Sequence, residues 1–192
     1  MTGVYATAPN YGTLLNSIVQ AANLTQYDVT VARMGAPPIA VEQGDKFVND
    51  LIALASDANR LRQAQAIAAQ RLLAYDGEKY LSDGCAITLS VLLQQAGLEL
   101  PDTYTAIALG KLLKSRGWQQ IGIGDQKAGD VGSTCGDVAN HGSDHIYLAV
   151  QILNSDEMIV ADNQQAEPHF RFASGKGKTP TRFFLRATTS LA

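Results

Sequence analysis

Asp83-Gly84-Cys85-Ala86-Ile87-Thr88-Leu89, residues 83–89, is the stretch on which the fold turns. A turn pair gives way to an apolar run in which Cys85, Leu89, Leu92 and Ala96 recur at helical spacing and share one face. The run reads as a helix that opens on a thiol and stops at Gly97, a residue type favoured just past a helix end. Unpaired N–H groups in a first helical turn carry partial positive charge, so the position is expected to favour a thiolate. Downstream, His145 heads the strand-like run His145-Ile146-Tyr147-Leu148-Ala149-Val150, and a second such run closes on Ala161-Asp162-Asn163-Gln164. A cysteine, a histidine and an acid or amide, each at the end of a regular element, are the groups that thiol-nucleophile catalysis needs.

The register of the two strand-like runs selects the third group. If Leu153-Asn154-Ser155-Asp156 is the hairpin connection, Ile152 faces Glu157, Tyr147 faces Asp162 and His145 faces Gln164. Period-two alternation then puts His145, Tyr147, Asp162 and Gln164 on one face and turns Asn163 to the other. Asp162 lies diagonal to His145, within side-chain reach. A one-residue bulge would put Asn163 in its place. In this arrangement Cys85 is the candidate nucleophile, His145 the candidate general base and acid, and Asp162 the candidate orienting group. Gln164 and Asn163 are supporting candidates, and backbone N–H groups at the start of the Cys85 helix are candidates for an oxyanion hole.

Further out, Asp45 to Tyr75 reads as one long helix or two abutting ones, ended by Asp76-Gly77. Phe47, Leu51, Leu54, Ala55, Ala58, Leu61 and Ala68 form its core-facing stripe. Before it come a helical pattern over Tyr11–Leu24, a short alternating stretch over Tyr27–Ala32, and the breaker Gly35-Ala36-Pro37-Pro38. After the Cys85 helix, Leu100-Pro101-Asp102 is expected to start a helix reaching Ser115. Strands are expected at Trp118–Ile123, His145–Ile152, Glu157–Asp162 and Thr181–Ala187. Helices followed by a run of strands predict an α+β fold, helices packed on an antiparallel sheet. A soft boundary near Asp76 divides a helical N-terminal segment, 1–75, from a module, 76–192, that carries the chemistry; both fit in one body.

The chain has 192 residues with 46% hydrophobic and 17% charged residues, ordinary for a globular protein with its own core. A net charge of −3 with no basic block argues against nucleic acid as a partner. Gly175-Lys176-Gly177-Lys178 reads as a solvated turn. No apolar stretch approaches the roughly 20 residues of a membrane span. The start Met1-Thr2-Gly3-Val4-Tyr5-Ala6 shows no secretory signal. Cys85 and Cys135 are too few for a disulfide framework.

Asp83-Gly84-Cys85 opening a helix, then Lys127-Ala128-Gly129-Asp130-Val131 ahead of Asp144-His145-Ile146-Tyr147-Leu148, resembles the CHAP and NlpC group of papain-like cysteine amidases and peptidases. In that group a cysteine starts a helix, a Gly-Asp turn precedes a strand, and a histidine opens the next strand. Asp162-x-Gln164 is similar to the acid-x-amide pair of CHAP domains, and Thr181–Arg186 resembles their closing strand. The resemblance spans roughly residues 75 to 187. It implies a papain-like fold, a Cys85–His145–Asp162 triad, no cofactor, and a peptide or peptidoglycan-like substrate cut at an amide bond. The sequence departs from the pattern in Ala86-Ile87-Thr88 after the cysteine, in the loop Gly132–Ser143, and in lacking any evident wall-binding module.

Other readings stand beside this one. Cys135, His141 and His145, completed by Cys85 or Asp162, have spacings a zinc site would accept. Gly129–Gly136 lacks the Lys-Ser/Thr ending of a P-loop and reads as an active-site loop. Tyr75 and Tyr80 precede the thiol and are expected to pack, as is Trp118. A catalytically silent binding module on the same fold is the remaining alternative.

Overall fold

The computed structural model describes residues 46–77, 81–136, 138 and 144–188. The helix expected over Tyr11–Leu24, the strand over Tyr27–Ala32 and the breaker at Gly35–Pro38 lie outside the described residues. No described helix is long and apolar enough to cross a membrane.

Two abutting helices open the described chain, α1 (Lys46–Ser56) and α2 (Ala58–Asp76). Asp57 separates them: its carboxylate accepts the N–H groups of Asn59 and Arg60 at 2.8 and 3.0 Å, capping α2 where the helical ladder cannot. Gly77, at φ 78°, closes α2 in the left-handed region that a side chain would strain. A 3₁₀ turn (Leu81–Asp83) leads into α3 (Cys85–Gln95). The stripe expected on α3 is only part of its buried surface: all nine residues from Cys85 to Leu93 are buried. The helix is enclosed, packing against α1, α2, α4 (Ala106–Ser115) and the third strand.

α4 begins several residues later than Pro101 suggests. Asp102 is not a helix cap: it accepts from Arg71 and Gln94, tying the extended segment to α2 and α3. Thr105 is the cap, its hydroxyl accepting the Ala108 N–H at 3.3 Å.

Six strands follow: β1 (Gln119–Ile121), β2 (Val131–Ser133), β3 (Ile146–Ile152), β4 (Glu157–Ala161), β5 (His169–Phe172) and β6 (Phe183–Arg186). They form one antiparallel sheet in the order β1-β6-β2-β3-β4-β5, so the fold is α+β. Periodicity predicted neither β2 nor β5, although the resemblance implied a strand after the Gly129-Asp130 turn, where β2 lies. Gly129–Gly136 is not a loop, because it contains the buried strand β2, held between β6 and β3. Its Gly132 is required by close approach: a Cβ there would lie 2.3 Å from the Tyr147 ring. β5 is the other, four residues long and invisible to periodicity over longer windows.

Both faces of the sheet are covered. Ile146, Leu148 and Val150 of β3 and Ala161 of β4 join the helices in the main core, which also holds Leu51, Ala55, Leu61, Ala68 and Leu72 of α1 and α2. The helices on the N-terminal side of Asp76 thus share one hydrophobic core with the sheet. Tyr147, Ala149, Met158, Val160, Ala173 and Phe184 make a second cluster on the other face. Trp118 lies in the main core, edge-on to Phe47.

The β3–β4 hairpin carries the register that matters. Ile152 pairs with Met158, one residue off the expected partner, but a bulge between Ala149 and Gln151 restores the count, and Leu148 pairs with Ala161. The longer loop and the bulge cancel at the end of the sheet that holds His145 and Asp162.

Candidate active site

Asp162, immediately beyond β4, reaches His145, immediately before β3: Nε2 donates to Oδ2 at 2.8 Å. Both side chains are buried, with 11% and 0% exposure. Burial alone would push the Asp162 carboxyl up. The hydrogen bond and charge of His145, the charge of His169 and the Gln164 N–H together hold it below the ordinary carboxylate value. Asp162 is therefore an acceptor only, and the ring nitrogen facing it carries the proton. Nδ1 is the ring nitrogen that Asp162 does not engage.

His145 is fixed through its backbone as well. Its N–H donates to the Thr134 hydroxyl at 2.8 Å, and its carbonyl accepts the Thr134 N–H at 3.0 Å. Gln164 donates its N–H to Asp162 Oδ1 at 2.7 Å and lines the cavity described below. The Asn163 amide donates to the Ser82 carbonyl at 3.1 Å, linking the end of β4 to the turn before Cys85. All five residues singled out from the sequence are thus gathered at one end of the sheet.

Cys85 is 8% exposed at the start of α3. No side chain caps that helix, so its first-turn N–H groups are not spent on a cap. The expectation of a depressed thiol pKa is overturned. Burial pushes the Cys85 thiol up to about 11, against the opposing pull of the Ile146 and Ala86 N–H groups and with the Asp162 charge adding to the rise. Desolvation outweighs the helix terminus because Cys85, like the rest of α3 through Leu93, is buried. The influence of the Ile146 N–H also locates the sulfur, beside the residue that follows His145.

Cys85 and His145 open into a single cavity of about 910 Å³. Its walls come from Ser82 and Asp83 before α3, Tyr104–Ile107 at the start of α4, Asp144 and Gln164 beside the histidine, and Arg171, Lys178 and Thr179 at β5 and beyond. A more open depression of about 710 Å³ between Gln94, Leu98, Pro101 and Arg116 holds no thiol or imidazole. Tyr75 is not in the cavity wall but stacks at 3.8 Å on Tyr104, which is; Tyr80 lies outside the described residues.

Several site residues were not legible in the sequence. His169 Nε2 lies 3.6 Å from the same Asp162 oxygen that His145 uses, and burial holds its pKa below the ordinary histidine value despite that neighbour. Gln65 of α2 donates to the carbonyls of Asp162 and Gln165, both at 2.7 Å, so the N-terminal helices clamp the orienting residue. Asp130 of the Gly-Asp turn serves structure: it accepts the Lys127 N–H and pairs with Arg186 on β6. No pattern of spacing announces any of these contacts.

The two cysteines are free. Cys135 is buried with its sulfur 3.1 Å from the Ser133 hydroxyl. Among the described residues no group of three or more His, Cys, Asp or Glu side chains is arranged to hold a metal ion, and His141 of the zinc reading lies outside them. Comparison with protein-family models, with curated proteins and with solved structures returns no match for this chain.

Proposed function

We propose that this is a papain-like cysteine amidase or endopeptidase, with Cys85 as nucleophile, His145 as general base and acid, and Asp162 as the group that orients the imidazole. The observation that carries the reading is the buried 2.8 Å hydrogen bond that His145, a histidine lining the same cavity as Cys85, donates to Asp162. The Cys85 thiol is protonated at rest, so His145 takes its proton as the sulfur attacks the substrate carbonyl. The carbonyl π electrons move to oxygen, whose charge first-turn N–H groups of α3 would receive. As the tetrahedral intermediate collapses, the C–N bond breaks and His145 protonates the leaving amine. Water, deprotonated by His145, then releases the acid from the thioester and restores the thiol. Asp162 stabilises the imidazolium that forms twice in the cycle.

The resemblance to CHAP and NlpC domains directs the substrate to peptide amides of the kind found in peptidoglycan. Incubation with soluble muropeptides, followed by detection of newly released amines, tests the proposal. Wild type releases them, Cys85→Ala does not, and release equal in both would refute it. A silent binding module would hold muropeptides without cleaving them.

A further inference from the structure

Arg171 of β5 is 6% exposed, and no carboxylate among the described residues pairs with it. Its Nη2 donates to the Thr179 carbonyl at 3.0 Å, its guanidinium lies 4.7 Å from the Tyr147 ring centroid, and its Nε is buried with no hydrogen-bond partner. Among the described residues the buried carboxylates are engaged elsewhere, Asp130 by Arg186 and Asp162 by His145 and His169. A buried guanidinium without a counter-ion is costly, and one cation–π contact offsets only part of that cost.

Arg171 lines the cavity that Cys85 and His145 also line, and Lys178 lines it too. The turn bearing Lys178 is built. Gly175, at φ +86°, accepts the Lys178 N–H at 3.0 Å, and a Cβ on it would strike the Lys178 carbonyl at 2.3 Å. Asp156 anchors the turn through the N–H and hydroxyl of Ser174. The lining acids, Asp83 and Asp144, adjoin the cysteine and the histidine in the chain, so the cations stand on separate elements from them.

We propose that Arg171 and Lys178 form a carboxylate-binding subsite, and that the substrate carries a free carboxylate close to the scissile amide. Calling the ligand a substrate rests on the cysteine hydrolase reading; the anion site itself does not. A guanidinium offers two parallel N–H donors to a carboxylate, and a flexible ammonium beside it adds a second charge.

The test uses two alkylating reagents of the same size and different charge, iodoacetate and iodoacetamide, on the full chain. The iodoacetate-to-iodoacetamide rate ratio at Cys85 is expected to exceed that of N-acetylcysteine by about tenfold or more. It is expected to fall by about tenfold in Arg171→Met and by roughly threefold in Lys178→Ala, an exposed position whose loss leaves the core intact. A wild-type ratio no higher than that of the small thiol, unchanged in both variants, overturns the subsite. If neither reagent labels Cys85, the nucleophile reading fails and the subsite is decided by NMR. A saturable shift of the Arg171 Nε–Hε signal on titration with succinate then supports it, and no shift overturns it.

Discussion

Replacing His145 by alanine isolates what the imidazole does for the buried thiol. With a pKa of about 11, the Cys85 thiol at pH 7.5 is ionised in about one molecule in 3,000. An exposed thiol near 8.5 is ionised in about one in ten, so burial alone makes Cys85 about 300-fold less reactive than a free cysteine. Lowering a pKa from 11 to 7.5 takes about 4.8 kcal/mol at 1.36 kcal/mol per unit. A cation on the order of 4 Å away supplies about 4 kcal/mol at an effective dielectric of 20. Proton transfer to His145 therefore offsets most of the burial cost. An ordinary imidazole is only about one-tenth protonated at pH 7.5, so the expected result is a neutral-pH alkylation rate at Cys85 roughly 10²-fold higher in wild type than in His145→Ala. In the variant, the rate should climb about tenfold per pH unit between 7.5 and 10. Mass spectrometry of the two cysteine peptides after timed iodoacetamide exposure measures it, with buried Cys135 as the slow internal reference. Equal rates and equal pH profiles in the two proteins would refute the pairing.

Asp162→Ala leaves two imidazoles and the Gln164 N–H without their shared acceptor and should cost about 3–5 kcal/mol by denaturant titration at pH 7. Because the folded carboxyl titrates below its unfolded value of about 3.9, Asp162 contributes stability that is full above that pH and is lost as pH falls through the folded value. The variant's Tm should accordingly depend less on pH below 4 than that of wild type, and an unchanged acid slope would contradict this. His169 is held below its ordinary value, so folding favours its neutral form and stability should decline as pH drops below about 6.5. His169→Gln should flatten that decline between pH 6.5 and 5, as read by thermal melts. Gly132→Ala drives a methyl into the Tyr147 ring and should lower stability by about 1–3 kcal/mol or more, whereas a neutral effect would show that β2 and β3 can part locally.

What the chain settles by itself is local and periodic. A turn pair before an apolar run is enough to start a helix on Cys85, but alternation with period two puts His145 and Asp162 on one side of a hairpin only in one register. That register survives here because two departures cancel: the connection is one residue longer than expected and a bulge takes the shift back, so Leu148 pairs with Ala161 and Asp162, not Asn163, meets the histidine. Tertiary structure decided what spacing does not encode. Three- and four-residue strands such as β2 and β5 exist because neighbours complete their hydrogen bonds, so their own residues carry little signal. The Gln65 clamp joins groups 97 residues apart in the chain. The protonation of Cys85 follows from desolvation by α1, α2, α4 and β3 together, a property of the assembled core that overrides the favourable helix terminus visible in the sequence.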